Sequence, residues 1–300
     1  MPLGVPCKLP RMMRMTPAFA LCLAAATASA CGGSVAAPNA AASRAEPSYA
    51  RVSATAAPEG TGDKIKWAMA GEHRAESRPR DAHRHPLETL TFFGLKDDMT
   101  VVELYPGRGW YTEILAPVLR DRGRLVVTNW NPVTNQFGAS LDRKLKASPA
   151  LYDKVNMVVI DPPKSIPLGP DGSADLVLTF RNIHNWLDDG DTAAIFAAAF
   201  KVLKSGGTLG VVEHRAASGT TLAQMQQTGY VTEDKAIELA NAAGFQLTEK
   251  SEINANPRDT KNHPNGVWSL PPSLRGGDVD KAKYLAIGES DRMTLKFKKP

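Results

Sequence analysis

The stretch that decides the fold is "VVELYPGRGWYTEILAP", residues 101–117. An apolar strand pattern runs into a turn that contains Gly107 and Gly109, and a helical pattern follows the turn. Such a unit places backbone N–H groups and a helix N-terminus at the carboxyl edge of a sheet, where nucleotide-like cofactors bind. Tyr105 stands where such turns usually begin with a glycine. The stretch therefore predicts an α/β fold, and taken alone its turn is either a cofactor turn of unusual sequence or only a tight strand-to-helix turn.

Strand and helix patterns alternate from residue 63 onward. The strand patterns are "TVVEL", "RLVVTN", "KVNMVVI", "ADLVLTF", "TLGVVEH", "FQLTEKSE" and "MTLKFKK". Two helical patterns have expected ends: Gly206 and Gly207 should close "DTAAIFAAAFKVLKSGG", and Pro117 should kink or shorten "YTEILAPVLRDRG". Nearly continuous apolar strands between helices predict a Rossmann-like, seven-stranded, mostly parallel sheet with helices on both faces. Helices are scarce before strand seven, so we expect that strand to be antiparallel.

The first 62 residues differ in composition from the rest. Residues 1–30 carry three basic residues, no acid, and the apolar run "TPAFALCLAAATASAC", which together predict a secretory signal peptide. The end of this run resembles a bacterial lipoprotein cleavage site, with Cys31 as the lipidated residue. Plain secretion and no export are the alternatives. Residues 31–62, rich in Ala, Ser and Pro, predict a flexible linker before a folded domain at 63–300.

These features predict an exported protein of the bacterial cell envelope, a periplasmic lipoprotein that touches the membrane only through its anchor at Cys31. Removing the three positive charges of the leader from the formal net charge of +5 leaves +2. A charge this small gives no reason to expect a nucleic-acid partner. All three cysteines lie at or before residue 31, so the domain should have no disulfide and no cysteine metal site.

The chain resembles the class I S-adenosylmethionine-dependent methyltransferases over residues 75–298. The resemblance is carried by the opening stretch, by "LGPDGSADLVLTFRNIHNWLDD", by "AAFKVLKSGGTLGVVEH" and by "AAGFQL". Two further stretches, "RDAHRHPLETLTFFGLKDDMTVVELYPGRGWYTEILAP" and "DRMTLKFKKP", are similar to the exported predicted methyltransferases of bacteria, in which an aromatic residue recurs at the position of Tyr105. The resemblance implies S-adenosylmethionine as the cofactor and methyl transfer to an unidentified acceptor.

The resemblance also implies where the cofactor would bind. Glu103 and the turn with Tyr105, Gly107 and Gly109 would lie under the methionine and ribose part, and Thr112 would lie at the first turn of the helix. Asn129 stands where the family has a ribose-binding acid. By position, the remaining contacts would come from Asp161, toward the adenine, and from Arg181 and Asn182, toward the sulfonium and the substrate entrance.

Catalytic candidates follow strands four and five, in "RNIHNW" and "EHR". Methyl transfer is an in-line displacement that needs a general base only when the acceptor must lose a proton. His184 is the candidate base or a loop-orienting residue. Glu213, His214 and Arg215 form either a substrate-facing polar edge or a salt-bridged support. We expect no metal, because the histidines at 83, 85, 214 and 263 lack helical ligand spacing with a nearby acid.

Three questions stay open at this point. S-adenosylmethionine is made in the cytoplasm, so an exported enzyme needs a route to it. The alternative is a non-catalytic envelope protein that binds a small molecule on the same fold, which the amide at Asn129 favours. A dinucleotide oxidoreductase is disfavoured, because the acid after strand two and the full three-glycine turn are missing. Residues 253–292, a long irregular connection, predict a lid or binding segment in which Trp268 and Arg275 contact the ligand or hold the loop.

Overall fold

The computed structural model describes residues 56–300. The predicted signal peptide, Cys31 and most of the predicted linker therefore lie outside the described residues. The first helix, α1 (Thr61–Ala70), begins two residues before the predicted start of the domain at residue 63.

Seven strands form one mixed sheet, and their order across the sheet is β3-β2-β1-β4-β5-β7-β6. The strand bounds are β1 (Thr100–Leu104), β2 (Arg124–Asn129), β3 (Val155–Val159), β4 (Ala174–Phe180), β5 (Leu203–His214), β6 (Gln246–Ser251) and β7 (Arg292–Lys298). Strand β7 pairs antiparallel with β5 and β6, and the other neighbouring strands pair in parallel. The predicted fold class, including the antiparallel seventh strand, is confirmed.

Helices surround the sheet. After α1 come α2 (Asp81–Arg84), α3 (Pro86–Phe92), α4 (Thr112–Leu119), α5 (Gln136–Ala147), α6 (Pro149–Tyr152), α7 (Ile183–Asp189), α8 (Thr192–Val202), α9 (Leu222–Thr228), α10 (Glu233–Ala242) and α11 (Lys281–Ile287), with short 3-10 turns at Glu72–Arg74, Arg78–Arg80 and Gly266–Ser269. Between residues 56 and 300, no helix combines the length and the hydrophobicity that a bilayer span requires.

Both faces of the sheet are covered by apolar side chains. Val101 and Val102 are adjacent in β1 and belong to different core clusters, because successive strand side chains point to opposite faces. One cluster joins the sheet to α8 and α10, and the other joins it to α1 and α4. Double coverage explains why the central strands read as nearly continuous apolar runs.

Two helix ends differ from the patterns in the sequence. Helix α8 ends at Val202, so the prediction that Gly206 and Gly207 close it is wrong. Leu203 is already extended and pairs with Ala174, which makes the two glycines part of β5. Helix α4 contains Pro117 and ends at Leu119, shorter than its pattern.

The connection between β6 and β7 is held in place by a buried carboxylate. Asp259 is 4% exposed and accepts hydrogen bonds from the Tyr230 hydroxyl at 2.9 Å, the Asp291 backbone N–H at 2.8 Å and the Lys261 backbone N–H at 2.9 Å. His263 Nε2 lies 2.8 Å from the same carboxylate. These contacts make the connection a packed part of the domain and not a loose lid.

The strand order places one edge of the sheet in position for ligand binding. Strands β1 and β4 are neighbours, and the chain leaves them for opposite sides of the sheet, toward β2 and toward β5. Open α/β sheets bind ligands outside the carboxyl ends of strands at such a switch point. The turn after β1 and the residues after β4 and β5 meet at this edge.

Candidate functional site

The turn after β1 has the backbone of a glycine-rich turn although it begins with tyrosine. Tyr105 has φ 44°, Gly107 has φ 62° and Gly109 has φ 78°. The backbone N–H of Tyr105 donates to the Thr128 hydroxyl at 2.8 Å, which fixes the turn to β2. A non-glycine residue in the left-handed region costs about 1–2 kcal/mol, so the surrounding structure imposes this conformation.

A side chain at Gly107 would point into open space, since no heavy atom lies within 4 Å of the position of an added Cβ. An added Cβ at Gly109 would lie 3.1 Å from Leu141. The two glycines therefore serve different purposes. Gly109 allows close packing inside the protein, whereas Gly107 leaves the backbone open to a ligand.

Glu103 is a buried carboxyl group with one hydrogen-bond partner among the described residues. The Thr112 hydroxyl donates to Glu103 Oε2 at 2.6 Å, and the two side chains are 1% and 0% exposed. Burial raises the pKa of Glu103 to about 8, against the smaller opposing effect of Thr112. A ligand amine or hydroxyl that donated to this carboxylate would offset the cost of its burial.

Three aromatic side chains pack together beside the turn. The Tyr105 ring lies 4.4 Å from Trp130 and 6.2 Å from Trp186, measured between ring centroids. Tyr105 and Trp186 are 6% and 4% exposed. Two of the residues predicted to contact the cofactor are also closed to solvent, since Glu103 and Asn129 are each 1% exposed.

The two predicted contacts after β2 and β3 lie in different environments. Asn129 Nδ2 donates to the Gly138 carbonyl at 3.0 Å, and Asn129 Oδ1 is buried without a hydrogen-bond partner in the described part of the chain. An unpaired buried acceptor is costly and is a place where a ligand hydroxyl could donate. Asp161 is exposed, and its carboxylate lies 3.5 Å from Lys164 Nζ.

The two predicted residues after β4 have different surroundings: the Asn182 side chain is hydrogen-bonded within residues 56–300, and the Arg181 guanidinium is not. Asn182 Nδ2 donates to the Leu104 carbonyl at 3.0 Å and to the Thr179 hydroxyl at 3.1 Å, which ties the end of β4 to β1. Arg181 has φ 62°, and its backbone N–H donates to the Val212 carbonyl at 2.7 Å. Its guanidinium makes no hydrogen bond or ion pair with any residue between 56 and 300.

His184, Glu213 and His214 come together in a buried cluster. Glu213 is fully buried, and its carboxylate accepts from the backbone N–H groups of Ile183 at 2.6 Å and His214 at 2.8 Å. His184 Nδ1 lies 3.0 Å from Glu213 Oε1. A carboxylate only accepts, so Nδ1 carries a hydrogen, and in the neutral imidazole the free lone pair is then on Nε2. This arrangement suits a histidine base oriented by a carboxylate.

His214 is neutral at pH 7, because burial first and then the nearby His184 and Arg181 hold its pKa well below the ordinary value. Its Nδ1 lies 2.5 Å from the Ser290 hydroxyl. Ligating atoms of His184, Glu213 and His214 lie within 4.8 Å of one another, a spacing that a metal ion could use. The surrounding guanidiniums repel a cation, and the Glu213 oxygens already accept four hydrogen bonds.

Arg215 lies outside this cluster in a partly buried ion-pair network. Its guanidinium binds Asp291 through two hydrogen bonds of 3.0 and 2.9 Å and also contacts Glu252 and Glu233. These carboxylates raise its pKa. Of the two outcomes predicted for Arg215, the structure has the salt-bridged support.

Three of the five tryptophans of the sequence lie in three different places. Trp186 packs against the turn, and Trp268 lies 6.1 Å from His184 between ring centroids and under the guanidinium of Arg275. Trp110 lies between the guanidiniums of Arg74 and Arg84, at 4.9 and 4.6 Å. Trp110 therefore fixes the N-terminal segment to α4.

Sequence reasoning missed the arginines and the glutamate that gather behind Arg181. Arg84 and Glu289 are buried and paired although 205 positions separate them. A single sequence contains no mark of so distant a pair. A weaker sign existed for Ser290 and Glu289, because residues that precede an antiparallel β7 must lie at the carboxyl edge of β5.

No protein-family model and no curated protein matches the chain. Among solved structures, the chain is similar to an S-adenosylmethionine-dependent methyltransferase from Aquifex aeolicus, with 16% identity over 80% of this chain and 98% of the other, and a TM-score of 0.51. It is also similar to the [4+2]-cyclase SpnF, with 20% identity over 73% of this chain and 82% of the other, and a TM-score of 0.52. At such identities the likeness is one of fold, the Rossmann-like class I methyltransferase fold.

Proposed function

We propose that the protein binds S-adenosylmethionine at the turn after β1 and transfers its methyl group to an acceptor. The observation that carries the proposal is the buried Glu103 carboxyl group beside the open backbone at Gly107, at the switch point of the sheet. The methyltransferase fold supports the proposal, and so does the resemblance in sequence. The acceptor is not identified by either.

The residues at the turn fit the polar groups of this cofactor. Gly107 offers backbone that a ligand can approach closely, Glu103 offers an acceptor for an amine or hydroxyl, and Asn129 Oδ1 offers an acceptor without a partner. We assign these three residues, with Thr112 as the support of Glu103, to holding the cofactor. Asp161, exposed after β3, is assigned to the adenine end.

The bound cofactor would supply a methyl group on a sulfonium, which a nucleophile attacks in line. The protein's own part is to position the acceptor and to accept its proton. Glu213 orients His184 so that the free lone pair of the neutral imidazole is on Nε2, and His184 is therefore the residue we assign as general base. His214 is neutral, lies within hydrogen-bond distance of Ser290 and belongs to the same cluster as His184 and Glu213.

A non-catalytic binding role is the second candidate, and one observation favours it. Tyr105, Trp130 and Trp186 pack over the turn, and the side chains of Glu103 and Asn129 are almost fully buried. A site closed in this way admits a ligand only after these aromatic side chains move. The fold by itself does not fix methyl transfer as the activity, because a structure named as a cyclase shares it.

Calorimetric titration of the full chain with S-adenosylmethionine and, separately, with S-adenosylhomocysteine tests the proposal. We expect both to bind, and we expect Gly107→Ala to weaken binding at least tenfold, because the added methyl occupies the space that the ligand needs. Gly172→Ala is the matched control. Gly172 has φ 63°, has no neighbour within 4 Å of an added Cβ, and precedes β4 at the opposite edge of the sheet.

Both substitutions impose the same backbone strain. If Gly107→Ala weakens ligand binding and Gly172→Ala does not, the turn is the binding site. Equal losses of binding in the two variants would mean that the turn is structural only. Failure of a folded sample to bind either compound would remove the methyltransferase proposal and leave the binding role for another small molecule.

Export to the cell envelope and lipidation at Cys31 remain part of the proposal. They are supported by the basic and apolar leader and by the Ala-Ser-Ala-Cys sequence at residues 28–31. In a bacterial host we expect the mature protein to start at residue 31 with a lipid-sized mass increase and to fractionate with membranes. Cys31→Ala should abolish both. An intact N-terminus in the soluble cytoplasmic fraction would contradict this proposal and would remove the conflict with a cytoplasmic cofactor.

A further inference from the structure

A group of buried arginines surrounds one carboxylate at the carboxyl edge of the sheet. Arg80 Nε lies 2.6 Å from Glu289 Oε1, and Arg84 Nε lies 3.1 Å from Glu289 Oε2. Arg292 Nη1 lies 3.2 Å from Glu289 Oε2. Arg84, Arg292 and Glu289 are 1%, 3% and 4% exposed. Three guanidiniums therefore share a single buried counter-charge.

Arg181 adds a fourth guanidinium to this group without adding an acid. Glu289 raises the pKa of Arg181, whereas Arg292 and Arg80 lower it. The positive charges of these arginines therefore repel one another. Within residues 56–300, Arg181 makes no side-chain hydrogen bond or ion pair. Arg84 Nη2 and Arg80 Nη2 are buried N–H groups that also lack a partner in this part of the chain. Several charged donors are thus left without acceptors.

The charged forms of Arg84 and Arg181 are disfavoured in the protein without a ligand. Burial, and then the charge of Arg181, lower the pKa of Arg84 to about 9. Burial lowers the pKa of Arg181 to about 10. Guanidiniums ordinarily keep their charge at any accessible pH, and here burial disfavours that charge although Glu289 partly offsets the effect. An anion bound among them would supply further negative charge.

The unpaired guanidinium interacts electrostatically with two members of the cluster that contains the candidate base. Arg181 follows β4 and is partly exposed. Its charge interacts favourably with Glu213 and lowers the pKa of His214. His184 follows three positions later in the first turn of α7. A negatively charged ligand that approached this cluster would therefore be attracted by Arg181. The same positive charges disfavour a metal ion at the histidines, so the geometry points to an anion and not to a cation.

We propose that Arg181, backed by Arg84, binds an oxyanion group, a phosphate or a carboxylate, on the molecule that is methylated. Arginine is suited to this because its planar donors match both groups in pairs. That this molecule is methylated rests on the proposed function, whereas the anion site itself rests on the arginines alone. It narrows the acceptor to compounds that carry a negative charge at a fixed distance from the nucleophile.

The test titrates the full chain with inorganic phosphate and, separately, with acetate, at constant ionic strength. We expect at least one of the two to bind in the millimolar range or tighter, and Arg181→Gln to weaken it at least tenfold. Arg124→Gln is the matched control, since Arg124 is exposed at the start of β2, at the opposite edge of the sheet. Preferential phosphate binding supports a phosphorylated acceptor, and preferential acetate binding supports a carboxylic acid.

A second measurement covers the case in which Arg181→Gln does not fold. Phenylglyoxal modifies accessible arginines, and bound phosphate or acetate should slow modification of Arg181 in the wild-type protein while Arg124 reacts at an unchanged rate. Peptide mass spectrometry reads both sites in one sample. Absence of binding by both anions, or binding that Arg181→Gln leaves unchanged, would overturn the anion site.

The two proposals fail separately. Anion binding without binding of S-adenosylmethionine would leave the oxyanion site in place and remove methyl transfer. Binding of S-adenosylmethionine without any anion binding would leave the methyltransferase proposal in place and remove the inference about its acceptor.

Discussion

Glu103→Gln is expected to make the protein more stable at pH 8 by as much as about 5 kcal/mol, relative to the wild type. The carboxyl group has a pKa of about 8 in the folded protein and an ordinary value of 4.5. Its contribution to stability is therefore fully present below pH 4.5 and is lost as the pH rises to about 8. Each pKa unit corresponds to about 1.4 kcal/mol.

The measurement is urea unfolding of both proteins between pH 4.5 and pH 8.5. The wild type should lose stability relative to Glu103→Gln over this range, because the unfolded carboxyl group ionises while the folded one does not. Glu76→Gln, an exposed glutamate in a 3-10-rich segment, is the control and should change stability by less than about 0.5 kcal/mol. Parallel curves for the wild type and Glu103→Gln would show that Glu103 ionises normally in the fold.

The same substitution should weaken S-adenosylmethionine binding, so stability and binding should change in opposite directions. A buried carboxyl group with one hydroxyl partner destabilises the protein, and such a residue is usually retained for function. Wild-type affinity should also rise with pH up to about 8, because the ligand's donors need the ionised carboxylate.

Glu289→Gln is expected to destabilise the protein by about 3–5 kcal/mol at pH 7. It removes the carboxylate that Arg80, Arg84 and Arg292 share and leaves their charges buried without compensation. Burial opposes ionisation of Glu289, but the guanidiniums outweigh it and hold its pKa below the ordinary value. The stability that Glu289 contributes is therefore present above pH 4.5 and is lost as the pH falls below it.

Chemical unfolding at pH 7 and at pH 4 measures this effect, and the difference between wild type and variant should narrow at the lower pH. Glu249→Gln is the matched control, because Glu249 pairs with Lys296 at 2.9 Å but is half exposed. Exposed pairs of this kind contribute about 0–1 kcal/mol. A loss at Glu289 no larger than the loss at Glu249 would mean that the arginines do not depend on its charge.

The sheet was predictable because it depends on local patterns. The apolar strands, the alternation with helices and the scarcity of helix before β7 are all visible in the sequence. The one clear error concerned Gly206 and Gly207, which have the composition of a helix end. The pairing of Leu203 with Ala174, a contact over 29 positions, draws the chain into β5 before the glycines are reached.

The candidate site was predictable only where its residues follow strands. The carboxyl ends of β4 and β5 meet because the strands are neighbours, so His184, Glu213 and His214 could be expected together. Arg84 comes from the N-terminal segment, and Glu289 lies three positions before β7. Their meeting depends on how α2 packs across the sheet edge, which no spacing in the sequence expresses.

The fixed connection between β6 and β7 has a consequence for how a ligand enters. Asp259 holds that connection through four hydrogen bonds, so the connection does not act as a swinging lid. Entry must then depend on rotation of Tyr105, Trp130 or Trp186, a step that occurs inside one molecule. The observed rate of ligand binding would therefore reach a maximum at high ligand concentration. This maximum would equal the rate at which the aromatic side chains rotate.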